Sequence, residues 1–228
     1  MLRRAVSLSP AINVRLQRSG DHLRALIWLP FDIMVGRTLP AGAGGGPVAA
    51  DFDHTVRAAE LLERLDAAEG SQVGRGEELL ARLTNRDTDW RAAAPPMARW
   101  RRVETVPGAV IRSLVASGAQ ALADAAEREG VAGAQPRAEV TDALLDSTVL
   151  TLTRDADASA DGADDAAPVS APLSAQVTLR MITAVTRMGF LPDDAQIAVD
   201  VCGRWTRVAA PFGSSYRERS SLGISLLT

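Results

Sequence analysis

The chain has 228 residues, all 25 of its basic side chains are arginine, and its formal net charge is −3. Because it has no lysine, the sequence excludes Schiff-base chemistry on a side-chain amine and the lysine-dependent phosphate loop. The single cysteine, Cys202, excludes an intramolecular disulfide and an all-cysteine metal cage, and the acidic balance argues against a general polyanion binder.

The remaining composition describes an ordinary soluble protein. The 40 alanines beside the arginines are typical of a GC-rich genome, and we expect a bacterial source. Pro10, Asn13 and Arg15 interrupt any signal-peptide core. The most apolar window, residues 23–39, is too short and too charged to span a bilayer. We therefore expect a cytoplasmic protein that has no membrane contact and no cofactor.

The N-terminal region is predicted to form antiparallel strands. Residues 11–17 alternate between apolar and polar side chains, which indicates a half-buried strand. Turn residues at 19–21 and an apolar run at 23–29 then predict a hairpin. Alternation resumes at 31–35, so we expect a third strand or a bent continuation.

The middle of the chain is predicted to be mainly helical. The glycine-rich stretch 41–47 lacks the spacing of a dinucleotide fingerprint and is interpreted as a flexible connection. A helix is predicted from Asp51, as N-cap, to Ala68, and a shorter one over 76–84. Residues 85–106 are predicted to be irregular because they contain Pro95-Pro96. The helix predicted at 107–129 has an apolar stripe and small residues that would allow another element to approach closely.

Further elements follow this helix. Residues 139–146 are predicted to be helical and residues 148–153 to form a strand. A helix is predicted from Ser174, as its cap, to Met188. A hairpin is predicted from strands 197–201 and 205–209, which are joined at Gly203. Residues 213–216 are interpreted as a turn, and residues 222–227 as a last strand.

The stretch 155–172 interrupts this order with five aspartates and no arginine. It predicts a disordered acidic loop. Because the 56 residues after it would make a marginal domain, we predict one domain, residues 1–228, with 1–154 and 173–228 as two units as the alternative. The predicted fold is α+β, with an antiparallel sheet from N- and C-terminal strands and three to four helices packed on one face.

The candidates for metal binding and catalysis are few. Asp51, Asp53 and His54 cluster at a predicted helix start and have atoms of the kinds that bind metals. A helix cap followed by first-turn acids explains the aspartates without an ion, so we predict no metal. Residues 213–216 lack the second glycine of a nucleophile elbow, and no catalytic residue is predicted.

Two clusters combine arginine with aromatic residues, and each has a net charge of +3, over residues 86–102 and 203–219. The candidate residues for binding a partner or an anion are Arg99, Trp100, Arg101, Arg102, Arg204, Trp205, Arg207, Tyr216 and Arg217. Arginine, tryptophan and tyrosine dominate the energetics of protein interfaces. The same residue types also bind nucleic acid through phosphate pairing and base stacking. The simplest interpretation is that arginines stack on tryptophans at an ordinary surface.

The sequence thus predicts a non-enzymatic protein that acts through a protein–protein interface as a scaffold, adaptor or assembly factor. The expected partner is another protein or a second copy of the chain. The alternative is a protein that binds nucleic acid or an anionic ligand through the same clusters. A carboxylate-based enzyme is the third interpretation, because the 28 acidic residues offer many pairs.

Overall fold

The structure is a computed structural model that describes residues 1–40, 51–68, 82–128, 138–155 and 172–219. Several predictions lie outside the described residues. They are the flexible connection at 41–47, the acidic loop apart from residues 155 and 172, the last strand at 222–227, and most of the short helix at 76–84.

The chain divides into two compact units. Residues 1–94 and 212–214 form the first, and residues 95–211 and 215–228 form the second. Each unit is an antiparallel sheet with helices, so the predicted α+β fold is confirmed, with strands from the N- and C-terminal parts of the chain. The described residues contain five α-helices where three to four were expected. That the chain folds as one cooperative domain stays a prediction.

The first unit contains four strands and two helices. They are α1 (Leu2–Leu8), β1 (Asn13–Ser19), β2 (His22–Leu29), β3 (Ile33–Pro40), β4 (Phe52–Arg57) and α2 (Ala58–Ala68). The strand order is β4-β1-β2-β3, and the three predicted N-terminal strands are confirmed. Val14 pairs with Ile27 on one side and Val56 on the other, and all three are buried. Alternation in β1 therefore directs one face of the sheet into the core.

The predicted helix from Asp51 to Ala68 is wrong in its first part, because residues 52–57 form β4. Phe52 and Val56 fit a helical stripe, so the local pattern favoured a helix. The whole of this segment instead pairs with β1, from Asn13 opposite Arg57 to Arg18 opposite Phe52. Pairing with a neighbouring strand overrides such a weak local preference.

The second unit contains six strands and three helices, and the first two residues of its last strand are grouped with the first unit. The elements are β5 (Arg101–Pro107), α3 (Gly108–Arg128), α4 (Ala138–Asp146), β6 (Thr148–Arg154), β7 (Leu173–Thr178), α5 (Leu179–Arg187), β8 (Gln196–Cys202), β9 (Trp205–Ala210) and β10 (Gly213–Glu218). β5, β8, β9 and β10 lie in the order β10-β9-β8-β5, and β6 pairs with β7 separately. The structure contains the helices predicted at 107–129 and 139–146, the strand at 148–153 and the hairpin around Gly203.

Three predictions for this unit are wrong. The helix predicted from Ser174 begins only at Leu179, because residues 173–178 form β7. The segment at 85–106 is not irregular to its end, since β5 begins at Arg101. A register shift between Arg102 and Glu104 breaks the alternation of β5, which is why no period of two was visible. Residues 213–216, interpreted as a turn, belong to β10.

Strands run into helices without any intervening residue at three places. β4 leads into α2, β5 into α3 and β7 into α5. The start of α5 also packs closely on α3. A Cβ atom added to Gly118 would lie 2.6 Å from Cδ2 of Leu179, so any larger residue there would force this leucine to shift. The small residues of α3 therefore allow the close approach that the sequence predicted.

The two units share one internal layout. Each has a helix followed by three antiparallel strands (α1 with β1–β3, and α5 with β8–β10), and a further strand that runs into a helix (β4 into α2, and β5 into α3). The first two-residue turn of each three-strand set begins with a glycine of positive φ, 58° at Gly20 and 54° at Gly203. Glycine adopts this left-handed conformation without steric cost. Counted from these glycines, Gln17 corresponds to Asp200, and Arg24 to Arg207.

Candidate functional site

Three charged side chains from neighbouring strands form a row in the second unit. Asp200 of β8 stands opposite Arg102 of β5 and Arg207 of β9. Its carboxylate accepts a hydrogen bond from Nε of Arg102 at 3.2 Å, and bonds from Nε and NH2 of Arg207 at 3.0 and 2.7 Å. The Asp200 side chain is only 2% exposed, whereas that of Arg102 is 55% exposed. One buried carboxylate therefore fixes two arginines.

Aromatic rings pack at the end of this row that is formed by Arg207. The guanidinium carbon of Arg207 lies 4.4 Å from the centroid of the Trp100 ring, and the Trp100 and Tyr216 ring centroids are 5.9 Å apart. Nε1 of Trp100 donates a hydrogen bond to the backbone oxygen of Pro96 at 3.0 Å. Arg99 precedes Trp100 with a φ of 64°, a conformation that is uncommon for a residue other than glycine. We call Arg102, Asp200, Arg207, Trp100 and Tyr216 the arginine row.

The other predicted residues of the second unit are not part of the arginine row. Trp205 is buried. Arg204 pairs with Glu218, and Arg217 reaches Asp146 of α4 at 3.2 Å. Arg99 and Arg101 are exposed and have no ion pair within the described part of the chain. Arg101 stands opposite Val201, so it projects from the other side of β5 than Arg102 does.

The structure thus unites members of both clusters through Asp200, a residue that the sequence analysis missed. The available signal was a single acid inside the apolar run 197–201. A charge at such a position is expected to have a partner, because burying an unpaired carboxylate is costly. Asp200 is the buried acid that faces an arginine on each neighbouring strand.

The first unit has a corresponding row made of different residues. Asp53 of β4 and Arg24 of β2 stand opposite Gln17 of β1. Oε1 of Gln17 accepts from Nε and NH2 of Arg24 at 3.1 and 2.5 Å, and Nε2 of Gln17 donates to Asp53 at 2.8 Å. Arg15 closes the outer end with two bonds of 2.7 Å to the Asp53 carboxylate. These bonds from Arg15 are the main reason that the pKa of Asp53 lies below its usual value.

Trp90 belongs to this first row and not to the arginine row. The guanidinium carbon of Arg15 lies 5.8 Å from its ring centroid. Trp90 and Arg91 lie in the first unit, whereas residues 99–102 lie in the second. The predicted cluster over residues 86–102 is therefore divided between the two units.

The three metal-ligand candidates do not converge. Asp51 accepts a hydrogen bond from the backbone N–H of Gly20 at 2.8 Å, and Asp53 is taken up by Arg15. Nδ1 of His54 lies 3.8 Å from the carboxylate of Asp87. Asp53 and His54 are neighbours on a strand and project to opposite faces. The described residues contain no group of three His, Cys, Asp or Glu side chains placed to hold a metal.

Asp87 instead protects the outer edge of β4. Its carboxylate accepts hydrogen bonds from the backbone N–H of Thr55 at 2.6 Å and from the amide of Asn85 at 2.8 Å. The backbone N–H of Arg86 donates to the oxygen of Thr55 at 2.8 Å. Burial raises the pKa of Asp87, but these hydrogen bonds outweigh it and hold the pKa below its usual value. The segment thereby satisfies backbone groups that would otherwise be open at a sheet edge.

A second ion-pair network connects α4 with α5 in the second unit. Arg180 is 4% exposed, and its guanidinium lies 3.1 Å from both Asp142 and Asp146. The two carboxylates are 59% and 47% exposed. The network therefore satisfies one buried cation with two acids that remain in contact with water.

Comparison with known families decides the family of the chain. The family described as "Domain of unknown function (DUF8185)" matches residues 95–222, more than half of the sequence. The chain belongs to this family. A second family, "Domain of unknown function (DUF8010)", matches residues 1–79 of this DUF8185 member. No curated protein sequence matches it.

Solved structures resemble the DUF8185 member in fold. The crystal structure of the DNA polymerase III subunit beta from Pseudomonas aeruginosa matches with a TM-score of 0.51 at 14% identity, over 95% of this chain and 61% of that one. The sliding clamp from Bartonella birtlesii matches with a TM-score of 0.50 at 10% identity, over 95% and 61%. The chain therefore spans about 61% of the length of these structures. Among its described helices, none is long and apolar enough to cross a bilayer.

Proposed function

We propose that this protein is a non-enzymatic scaffold that binds a partner protein through the exposed arginines around the arginine row. The observation that carries the proposal is the meeting of one arginine from each predicted cluster at Asp200, with the Arg102 side chain 55% exposed. The P. aeruginosa relative in fold is by its description one subunit of a polymerase, which fits a fold used in assemblies.

The surroundings of the row have the composition of a protein interface. Met97, which is 41% exposed, and the exposed Arg99 lie on the segment that leads into Trp100. Arginine, methionine and aromatic residues are enriched at interface cores relative to other surfaces. Trp100 and Asp200 hold Arg207 and Arg102 in place before any partner arrives, which reduces the entropy that binding must offset.

Nucleic acid is the second candidate, and the geometry gives it less support. Trp205 and Tyr216 are buried, and Trp100 is engaged by Arg207 and Tyr216, so their rings do not form a free platform for bases. Helix α4 supplies no basic face, since it has three acids and no arginine. Phosphate contacts alone would remain, at the few exposed arginines.

The enzyme interpretation gains nothing from the described residues. Asp142 and Asp146 lie close together, but both are paired with Arg180. Asp200 is paired twice. An acid or base in catalysis exchanges a proton with the substrate, whereas these carboxylates are engaged in ion pairs with arginine.

Affinity capture from the native host tests the scaffold function. In one variant of the protein used as bait, called the bait variant, glutamine replaces four exposed arginines: Arg99, Arg101, Arg102 and Arg204. Arg207 is kept, because its ion pair with Asp200 is part of the fold. The control variant removes the same charge elsewhere, at Arg18, Arg64, Arg91 and Arg128. We expect a protein captured by the wild type and the control to be lost with the bait variant.

Circular dichroism establishes that both variants fold, and sedimentation velocity reports whether the partner is a second copy. The proposal fails if the wild type is monomeric and captures no protein that the bait variant loses. Retention on heparin with a steep salt dependence, lost in the bait variant, would favour the nucleic-acid alternative.

A further inference from the structure

The two rows differ at their outer ends, and this difference points to a binding group. In the first unit the outer residue is Asp53, an acid, and Arg15 completes it with two hydrogen bonds of 2.7 Å. In the second unit the outer residue is Arg102, a base. The position that corresponds to Arg15, two residues before the central side chain on the same strand, is Ala198. The second row therefore lacks the side chain that closes the first.

In the described second unit, no acid other than Asp200 pairs with Arg102. Asp200 is the carboxylate that Arg102 contacts, and Arg207 shares it. Two guanidinium groups thus face one carboxylate, which leaves one positive charge uncompensated. Glu104, the nearest acid along β5, turns its carboxylate to the backbone N–H of Thr105 at 2.8 Å.

The bond to Asp200 also determines which part of Arg102 is available. It uses Nε, the nitrogen closest to the side-chain stem. The terminal nitrogens of a guanidinium group carry further N–H donors in a planar fork that fits the two oxygens of a carboxylate. Because the row fixes Nε and the Arg102 side chain is 55% exposed, this fork is oriented in advance on an exposed side chain.

We infer that Arg102 is a carboxylate-binding site, and that its occupant is an aspartate or glutamate side chain in an acidic segment of a partner protein. The inference rests on the proposed function and adds the chemistry of the partner. Charge complementarity supports it, since Arg99, three residues before Arg102 in the chain, is exposed and has no ion pair within the described residues. Met97 provides an exposed apolar side chain for a residue next to the acid.

Fluorescence anisotropy with a short fluorescein-labelled peptide of glutamate and leucine tests this inference. We expect saturable binding to the wild-type protein, and no binding of the matched peptide with glutamine in place of glutamate. Arg102→Gln should weaken binding by about tenfold or more, the usual scale for a bidentate charge-assisted pair. Arg102→Lys should weaken binding almost as much as Arg102→Gln does, because an ammonium group keeps the charge but not the planar fork of donors.

Arg64→Gln is the matched control, since it removes one exposed arginine of the first unit. Equal binding by the wild type and Arg102→Gln, or by the two peptides, would overturn the inference. The chain also carries its own acidic stretch at 155–172, and a variant with its five aspartates changed to asparagine examines that occupant. Peptide binding that appears only in this variant would assign the site to the chain itself and overturn the choice of a partner.

The outcomes for the two proposals are separable. A host protein that is captured by the wild type and lost from the four-arginine variant, combined with no peptide binding, would leave the scaffold function standing and remove the carboxylate site. Peptide binding that depends on Arg102, combined with no captured protein, would support the carboxylate site and remove the scaffold function.

Discussion

The guanidinium group of Arg207 stacks on the Trp100 ring, with its central carbon 4.4 Å from the ring centroid. The same guanidinium donates two hydrogen bonds to Asp200, so its face and its edge are both engaged. Arg207 is therefore engaged within the fold on both its face and its edge, and the proposed binding role belongs to the exposed arginines near it. This distinction separates variants that should unfold the protein from variants that should only affect a partner.

Replacement of Trp100 with alanine should destabilise the second unit by about 3 kcal/mol, because it removes a large packed ring and the face against which Arg207 lies. Trp100→Phe keeps an aromatic face and should cost less. Chemical denaturation followed by circular dichroism measures both. Trp28 is 42% exposed in the first unit, and Trp28→Ala is the control with little expected effect. Equal losses for Trp100→Ala and Trp28→Ala would contradict the packing role.

Asp200→Asn should lower the free energy of unfolding by about 2 kcal/mol, because it leaves two arginines without their shared carboxylate. The cost stays below that of a fully buried pair, since Arg102 and Arg207 retain contact with water at 55% and 23% exposure. Urea titration of the variant and of Asp124→Asn, an exposed aspartate on α3, measures the difference. A loss no larger than that of the control would show that the row contributes little to stability.

Gly118→Ala should destabilise the protein by about 1–3 kcal/mol, the usual cost of overpacking. The added methyl group would lie 2.6 and 2.8 Å from the two terminal carbons of Leu179, which is itself buried. The thermal midpoint measures the effect, and Ser117→Ala at an exposed position of α3 is the control. If the contact is responsible, Leu179→Ala should cost less in the Gly118→Ala background than in the wild type.

The network around Arg180 should respond asymmetrically to substitution. Arg180→Met removes the buried cation and leaves two exposed acids that water can solvate, so we expect a change below about 1 kcal/mol. The double variant Asp142→Ala/Asp146→Ala leaves the buried guanidinium without these acids and should cost about 3 kcal/mol. It also removes the pair between Asp146 and Arg217, whose partly exposed side chain water can solvate at little cost. Denaturant unfolding of both variants at one pH makes the comparison. Equal costs would contradict the assignment of the buried charge to Arg180.

Acidification should destabilise the first unit through Asp53 and Asp87. The pKa of each lies below the ordinary value of 3.8 in the folded protein, for Asp53 mainly through Arg15 and for Asp87 through hydrogen bonds that outweigh burial. Their contribution is therefore fully present above about pH 4 and is lost as the pH falls through the lower, folded values.

Thermal melts from neutral pH to about pH 2 measure this dependence. Asp53→Asn should be less stable than the wild type at neutral pH and should lose less stability on acidification. Asp124→Asn should follow the wild type. A parallel acid profile for Asp53→Asn and the wild type would show that this carboxylate has no share in the effect.

Local patterns predicted the elements that are complete within one stretch of sequence. The hairpin around Gly203 and the helix α3 were visible because their periodicity and their turn residues lie side by side. β4 and β7 were missed because Phe52 and Val56, like the apolar residues before Met181, fit a helical stripe. Their strand character comes from β1 and β6, which no local window contains.

The candidate site shows the same division. The arginines and Trp100 could be predicted as a cluster from composition alone. Asp200, which connects them, is separated from Arg102 by 98 positions and looked like part of an apolar strand. The direction in which Arg217 projects depends on β10 being a strand, which the sequence did not predict. Its pairing with Asp146 of α4 could therefore not be predicted either.

The strand-to-helix junctions at residues 57–58, 107–108 and 178–179 place a constraint on how this chain can change. With no residue between the two elements, the pairing of the strand also sets the rotational phase of the helix. One inserted residue at 178–179 would turn the whole of α5 by about 100° and move Met181 and Ile182 away from their buried positions. Insertions and deletions should therefore be tolerated in the loops between elements and not at these three points.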